Sequence, residues 1–397
     1  MPFGVVGAGV ALGAACSAVV LIGWFRELRT PRRIPWRPTT INGLSATCAD
    51  GLVLQHDDGD TVWATRGFAI YRSRGGSAFE RVLSVRPRLG RAWGGYLASL
   101  RSRFGYQELI ELLPLRDDRL VIFAGGDIYI ADLAARDLER AHRLRYFGPG
   151  KGRGLMAFGL TGDQSGAIYF GEYTTEPGAH PVSIWKSSDE GRTWHKAYEF
   201  PVGTVRHIHT VQFDPYGKAI WVGTGDRNDE CYVGASDDGA ATFRWIAQGA
   251  QTYRTCGFVF FPSVVLWGMD ADHKPNRLIR LQRERGTMDS HAALPGVTFY
   301  HRKLDENRAL LGLARQVAEV WVANVEGDAC RWLSWSVPTP ARRGPGPGVR
   351  LGRGNTEGAD GCVYVNPLRT VEHEAAIFRI PKSAVPQPAR SDSSSSS

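Results

Sequence analysis

Ser187-Ser188-Asp189-Glu190-Gly191-Arg192-Thr193-Trp194 is the stretch of this 397-residue chain whose reading decides the fold. Its residue types are those of a hairpin. The Asp189 carboxylate can accept backbone N–H bonds across a turn. Gly191 can take the positive φ that closes one. Trp194 supplies a ring large enough to pack between neighbouring sheets. Strand-like runs flank it, Ser183-Ile184-Trp185-Lys186-Ser187 before and His195-Lys196-Ala197-Tyr198 after.

Outward from this hairpin the same strand recurs. An aromatic or aliphatic residue followed by a small one ends an apolar run at Trp63-Ala64, Phe123-Ala124, Phe170-Gly171, Val222-Gly223, Trp267-Gly268, Leu311-Gly312 and Tyr364-Val365. The small residues are spaced by 60, 47, 52, 45, 44 and 53 positions. Another strand follows each, as in Ala69 to Ser73, Asp127 to Ile130 and Ala376 to Arg379. A fourth follows in the clearest copies, at Phe79 to Val82, His195 to Tyr198 and Phe243 to Ile246. A period of roughly 50 residues is the length of a four-stranded propeller blade. Short strands between glycine turns, with no long 3.6-residue periodicity, exclude a helical solenoid. The 47 glycines and 12 tryptophans fit the same hairpin-rich class. The expected fold is therefore all-β, a β-propeller of four-stranded blades over residues 41–383. Seven copies fit, and six is the alternative, because the first and sixth are degenerate. The last copy lacks its fourth strand, so a strand near Ile41 to Cys48 is expected to close the ring from the N-terminus and remove the open edges.

Ser187 to Trp194 matches the pattern S-x-D-x-G-x-T-W at every fixed position. An imperfect copy runs from Ser236 to Phe243, read with Asp237 and Gly239 at the box positions and one extra residue before Thr242. Asp189 and Asp237 then stand one blade apart. A third site, Ser73 to Phe79, lacks the aspartate. The pattern resembles the Asp-box (BNR) repeat of the sialidase-like β-propellers. That resemblance implies a structural role for Ser187, Asp189, Gly191, Thr193, Trp194, Asp237 and Gly239, on outer hairpins away from the central channel. Sialidases also carry F/Y-R-I-P before their first box, with an arginine that binds the substrate carboxylate. Here Phe378-Arg379-Ile380-Pro381 spells it after the last box and coincides with a strand of the last repeat, so it reads as a strand end. Arg33-Ile34-Pro35 lacks the aromatic residue. Without an arginine triad, sialidase activity is not assigned.

In a propeller the innermost strand of each blade lines the channel, and the loops leaving it form the binding face. Val205-Arg206-His207-Ile208-His209-Thr210 precedes the Trp221 run and is expected to be such a strand. His207 and His209, two apart, project to one side of it. Such a pair could ligate a divalent metal ion, or one member could act as acid or base near neutral pH. The turns after the small residues add Glu172, the only ionisable residue directly following one, then Tyr173, Asp226 and Asp270. Glu172, His207, His209 and Asp226 are the catalytic candidates; Arg206, Tyr173 and Asp270 are the substrate-binding ones. Arg206 could hold an acidic sugar through bidentate contacts. Metal-binding propeller polysaccharide lyases are a relevant comparison, although no lyase motif is present. The function expected is action on, or binding of, a polysaccharide, with glycan cleavage of hydrolase or lyase type. The alternative is a non-catalytic platform for a cell-envelope or polysaccharide assembly. Convergence of His207, His209 and Glu172 in the channel mouth would favour the enzyme, whereas side chains more than about 10 Å apart, or buried and satisfied, would favour the platform.

The net charge of +8 suits an anionic partner. A glycan or acidic polysaccharide is expected, not nucleic acid, and the chain is expected to be a monomer. Gly148 to Gly154 is glycine-rich and basic but has no Gly-Lys-Ser/Thr end, which excludes a P-loop and leaves a flexible connection. His56-Asp57-Asp58-Gly59-Asp60 reads as a hairpin turn. The six cysteines form no C-x-x-C pair, which excludes zinc-ribbon and redox motifs, and buried free thiols are expected. Residues 3–25 are uncharged, nearly all apolar or small, and followed by Arg26, Arg29, Arg32 and Arg33. With this flank, residues 1–35 read as a membrane anchor with the body on the cytoplasmic side. Residues 384–397 read as a disordered serine-rich tail.

Overall fold

The apolar runs that end in a small residue each become the second strand of a four-stranded antiparallel group. A computed structural model of the chain describes residues 30–85, 110–148, 151–175, 180–271, 275–338, 346–354 and 361–389. These residues contain strands, turns and three short 3₁₀ segments, with no α-helix among them. The first group is Val53–Asp57, Thr61–Arg66, Ala69–Arg74 and Phe79–Ser84. Similar meanders run from Ile110–Pro114 to Asp137–Arg143 and from Leu160–Gly162 to His195–Phe200. Others run from Ile208–Asp214 to Arg244–Gln248, from Val259–Phe260 to Met288–Leu294 and from Val297–Lys303 to Ala329–Trp335. The last group joins Gly348–Leu351, Cys362–Leu368 and Ile377–Pro381 to Leu44–Ala49. There Thr47, Cys48 and Ala49 pair with Arg379, Phe378 and Ile377. The architecture is a β-propeller, with an apolar core split into clusters between successive sheets.

The recurring small residue has a steric cause. The inner strand of each following group crosses directly over it. A Cβ on Gly268 would lie 2.1 Å from Thr298 Oγ1, and one on Gly312 would lie 2.2 Å from the Val349 carbonyl oxygen. Gly171 meets Ile208 in the same way, whereas a Cβ on Gly223 would meet Thr210 of its own group first and then Thr255 and Phe258 ahead of the next inner strand. The period of the sequence is thus the period of inter-sheet contacts.

The hairpin at Ser187–Trp194 joins the third and fourth strands of its group. Ser187 Oγ donates to Asp189 Oδ1 at 2.8 Å, and Thr193 donates to the same carboxylate from its amide and hydroxyl at 2.8 and 2.6 Å. Gly191 has φ +89°. The Trp194 ring stands edge-on to Phe170 of its own sheet and to Phe123 of the preceding one. The second copy is built identically but in a register one residue later than expected. Asp238, not Asp237, accepts from Ser236 Oγ and from the Thr242 amide and hydroxyl. Ala240, not Gly239, holds the glycine position, at φ +68°. No residue is inserted, and Asp237 is exposed.

Other expectations change as well. Strand pairing begins at Arg33–Ile34, which pairs with Phe79 and Glu80, ahead of residue 41. The Gly148–Gly154 connection is not a loose link. Phe147–Gly148 and Gly152–Gly154 pair with each other, and Gly152–Gly154 pairs with Tyr173–Thr174, so an extra three-stranded sheet forms. The membrane-anchored localisation is corrected. Among the described residues no helix is long and apolar enough to cross a membrane. Residues 3–25 lie outside the described residues, as do 390–397 of the expected tail. Among the described residues Cys48, Cys231 and Cys256 are buried thiols outside any disulfide.

Candidate metal centre

The site is assembled where the third, fourth and fifth groups meet. His209 lies in the inner strand Ile208–Asp214, and His207 immediately precedes it. The pairing of this strand with Ala219–Thr224 is irregular at His209, since Ile208 opposes Thr224 while Thr210 opposes Gly223. A bulge of this kind re-aims a side chain. The two imidazoles stack with centroids 4.9 Å apart and point their Nε2 atoms at each other across 2.9 Å. Asp226, in the turn after Ala219–Thr224, brings Oδ1 to 3.5 Å from His207 Nε2 and 3.6 Å from His209 Nε2. The extra sheet covers the histidines. The Thr174 carbonyl accepts from His207 Nδ1 at 2.8 Å, and Tyr173 stacks on His207 with centroids 3.9 Å apart.

The residues present fit a divalent cation. A cation about 2.1 Å from its ligands sets them about 3.0–3.4 Å apart at octahedral or tetrahedral angles. The three sides of this triangle are 2.9, 3.5 and 3.6 Å. His207 gives its Nδ1 proton to a backbone carbonyl, the arrangement that leaves Nε2 free to ligate. Burial lowers the His207 pKa, and the nearby His209 lowers it further, which more than offsets Asp226 and keeps the ring in its ligating neutral form. Burial pushes the Asp226 pKa up, but the donors and positive charge around it hold it far below the usual carboxylate range.

Two arginines frame Asp226. Arg206 Nη1 and Arg254 Nη2 each lie 3.0 Å from it. Arg254 also reaches Asp270, with Nε 3.3 Å from Oδ2, and so ties the fourth group to the fifth. Asp270 in turn stands 3.7 Å from His209 Nδ1 and accepts from Cys256 Sγ at 3.4 Å. Burial pushes the Tyr173 hydroxyl up to about 12, so it stays a neutral stacking partner at physiological pH.

His207, His209, Asp226, Asp270, Arg206 and Tyr173 therefore come together. Glu172 is placed elsewhere. Its buried carboxylate pairs with Arg145 at 2.6 Å and accepts from the Ser183 amide at 2.8 Å, so its lone pairs serve the scaffold. Arg254 and Cys256 escaped sequence reasoning. They lie ahead of the inner strand Val259–Phe260, as Arg206 and His207 lie ahead of Ile208–Asp214, but at a different spacing, so no common offset marked them. Beside the cluster a pocket is lined by Arg153, Met156, Phe158, Cys256 and Tyr300, with Arg369 also in its wall.

No protein-family model matches the sequence, and no curated protein does. Solved structures match at the level of fold. An oligogalacturonate lyase in complex with manganese is 10% identical, with a TM-score of 0.58, over 88% of this chain and 97% of that one. An oligogalacturonate lyase from Vibrio parahaemolyticus is 8% identical, with a TM-score of 0.55, over 89% and 98%. YCF48 bound to D1 peptide is 8% identical, with a TM-score of 0.50, over 87% and 97%. Identities this low carry the propeller fold alone.

Proposed function

We propose that this chain is a metal-dependent propeller that acts on an acidic polysaccharide, with cleavage of the lyase type. The Asp-box reading makes it sialidase-like in architecture, with seven blades closed by the N-terminal strand, and not a sialidase in chemistry. The observation that carries the proposal is the convergence of His207 Nε2, His209 Nε2 and Asp226 Oδ1 on one point. The likeness in fold to two oligogalacturonate lyases, one of them in complex with manganese, supports the same class of substrate and metal.

His207, His209 and Asp226 would hold the ion. When bound, the ion neutralises a uronate carboxylate and so acidifies the proton on the adjacent carbon. Arg206, partly exposed beside Asp226, supplies a planar donor pair for that carboxylate. Arg153 and Tyr300 line the adjoining pocket, a charged group and a ring suited to an acidic sugar. Hydrolysis needs a second carboxyl kept protonated as a general acid. Asp226 is held deprotonated and Glu172 is tied to Arg145, so neither supplies one. Elimination needs no such acid: a base takes the proton beside the neutralised carboxylate and water protonates the departing glycosidic oxygen, which favours a lyase over a hydrolase.

The burial of both histidines favours a second reading, a non-catalytic platform whose cation only stiffens the binding face. One experiment separates the two. The protein is incubated with manganese and a panel of acidic and neutral glycans, with and without chelator, and the ultraviolet absorbance of unsaturated uronate ends is followed. Turnover on acidic glycans that chelator and His207→Ala abolish, with the fold retained, is the expected result. An inert wild type across the panel would leave the platform.

A further inference from the structure

His209 presents both ring nitrogens to atoms that carry lone pairs. Nε2 faces His207 Nε2 and Asp226 Oδ1. Nδ1 faces Asp270 Oδ2 at 3.7 Å and Cys256 Sγ at 3.9 Å, and Cys256 Sγ stands 3.4 Å from the same Asp270 oxygen. All three residues on this second side are buried. A neutral imidazole carries one proton and cannot donate in both directions. A separation of 3.7 Å is too long for an N–H···O bond. The other oxygen of Asp270, Oδ1, is buried with no hydrogen-bond partner. Arg254 Nε, 3.3 Å from Oδ2, is the one cation beside this carboxylate among the described residues and leaves Oδ1 unmet; a buried carboxylate oxygen without a donor calls for a further cation or donor.

The geometry points to a second metal site, in which His209 Nδ1, Cys256 Sγ and Asp270 hold a thiophilic divalent ion of the zinc class on the far side of the His209 ring. With bonds of about 2.3 Å to sulfur and about 2.0–2.2 Å to nitrogen and oxygen, tetrahedral ligands lie about 3.3–3.6 Å apart. The observed separations are 3.4, 3.7 and 3.9 Å. A thiolate selects zinc over the oxygen-seeking ions suited to the first triangle. Ion binding displaces the thiol proton to solvent, and when the first triangle is also occupied the His209 ring gives up its remaining proton to solvent and bridges the two ions as an imidazolate. Cys256 lines the adjoining pocket, which gives an entry path. The site touches the function proposed above only through His209, which both donor sets share. A metal at Nδ1 fixes the orientation of that ring, the task a carboxylate performs at many metal-bound histidines.

The competing account is that Asp270 and Cys256 only orient a protonated His209. To decide, the full chain, purified metal-free, is titrated with cobalt(II) and separately with zinc. The expected result is a near-ultraviolet thiolate-to-cobalt charge-transfer band in the wild type. It persists in His207→Ala, disappears in Cys256→Ser, and needs at least tenfold more metal in Asp270→Asn. With manganese and zinc supplied together, the wild type should hold two ions by elemental analysis, and Cys256→Ser and His207→Ala one each. Absence of the band from the wild type overturns the proposal without any variant having to fold. So does a band that survives Cys256→Ser. Either failure with manganese-dependent glycan turnover intact leaves the proposed function standing. The band without turnover would instead remove that function and keep the second site.

Discussion

Glu172 shows what a residue's position in a repeat reveals and what it hides. The repeat alignment singles it out as the one ionisable group directly after a small residue, and the turn does lie beside the histidines: the Glu172 carbonyl accepts from the Ile208 amide at 2.9 Å. Its side chain, however, turns the other way and pairs with Arg145. Removing one member of a fully buried pair costs about 3–5 kcal/mol. Arg145 is one-third exposed, so solvent screens part of this. Glu172→Gln should therefore cost about 2 kcal/mol by chemical denaturation while metal affinity stays within about twofold. A loss of metal affinity that outweighs the loss of stability would return Glu172 to the site. His207 and His209 were legible because period-two spacing puts two side chains on one face. Arg254 and Cys256 were not, since nothing local distinguishes a charged residue that bridges two carboxylates from one that faces water.

At the scale of the element, the two hairpin boxes show how far a motif can be read from its letters. The first matches its pattern fully, and its hydrogen bonds follow the pattern residue by residue. The second is ambiguous between two aspartates, and its glycine draws the reading one residue too early. The hydroxyl of Ser236 decides, because it reaches Asp238 at 2.7 Å and donates there. Ala240 tolerates its left-handed φ because the box bonds hold the turn around it. Asp238→Ala should lower stability by about 1 kcal/mol through lost turn hydrogen bonds. Asp237→Ala should fall within about 0.5 kcal/mol of wild type. Equal effects in thermal unfolding would contradict the register described here.

The whole molecule is held by contacts between sheets, and the small residues mark where those contacts are closest. Gly312→Ala drives a methyl group into the Val349 backbone carbonyl, which no rotamer change can relieve. Overpacking of this kind costs about 1–3 kcal/mol, and the denaturation midpoint should fall accordingly with an unchanged slope. A neutral outcome would mean that adjacent sheets can slide apart. The inner strands also shield two titratable rings, the half-buried His56 and the buried His301, each held neutral. Burial lowers His56 to about 3, with Arg353 and Arg302 adding to it, and burial lowers His301 to about 3 as well. The unfolded chain protonates these rings near 6.5 while the folded protein resists, so stability is full above that pH and falls as the solution is acidified. Between pH 6.5 and pH 5 each ring should cost about 2 kcal/mol. A His301→Gln variant should show a smaller drop in melting temperature over that interval than the wild type.

The sequence by itself determined the strands, their period and the hairpins that end them. These depend on local chemistry, namely alternation, turn residues and a small residue wherever another backbone must pass. It also nominated the histidine pair, because residues two apart in an extended segment share a face, although the irregular pairing at His209 had a part in their final aim. Only the tertiary structure decided which charged groups meet that pair. Asp226, Arg254, Cys256 and Asp270 come from different loops of two adjacent sheets, and the angle between those sheets is set by packing, not by any local pattern. The same packing turned Glu172 toward Arg145 and aimed both nitrogens of His209 at separate sets of atoms that carry lone pairs.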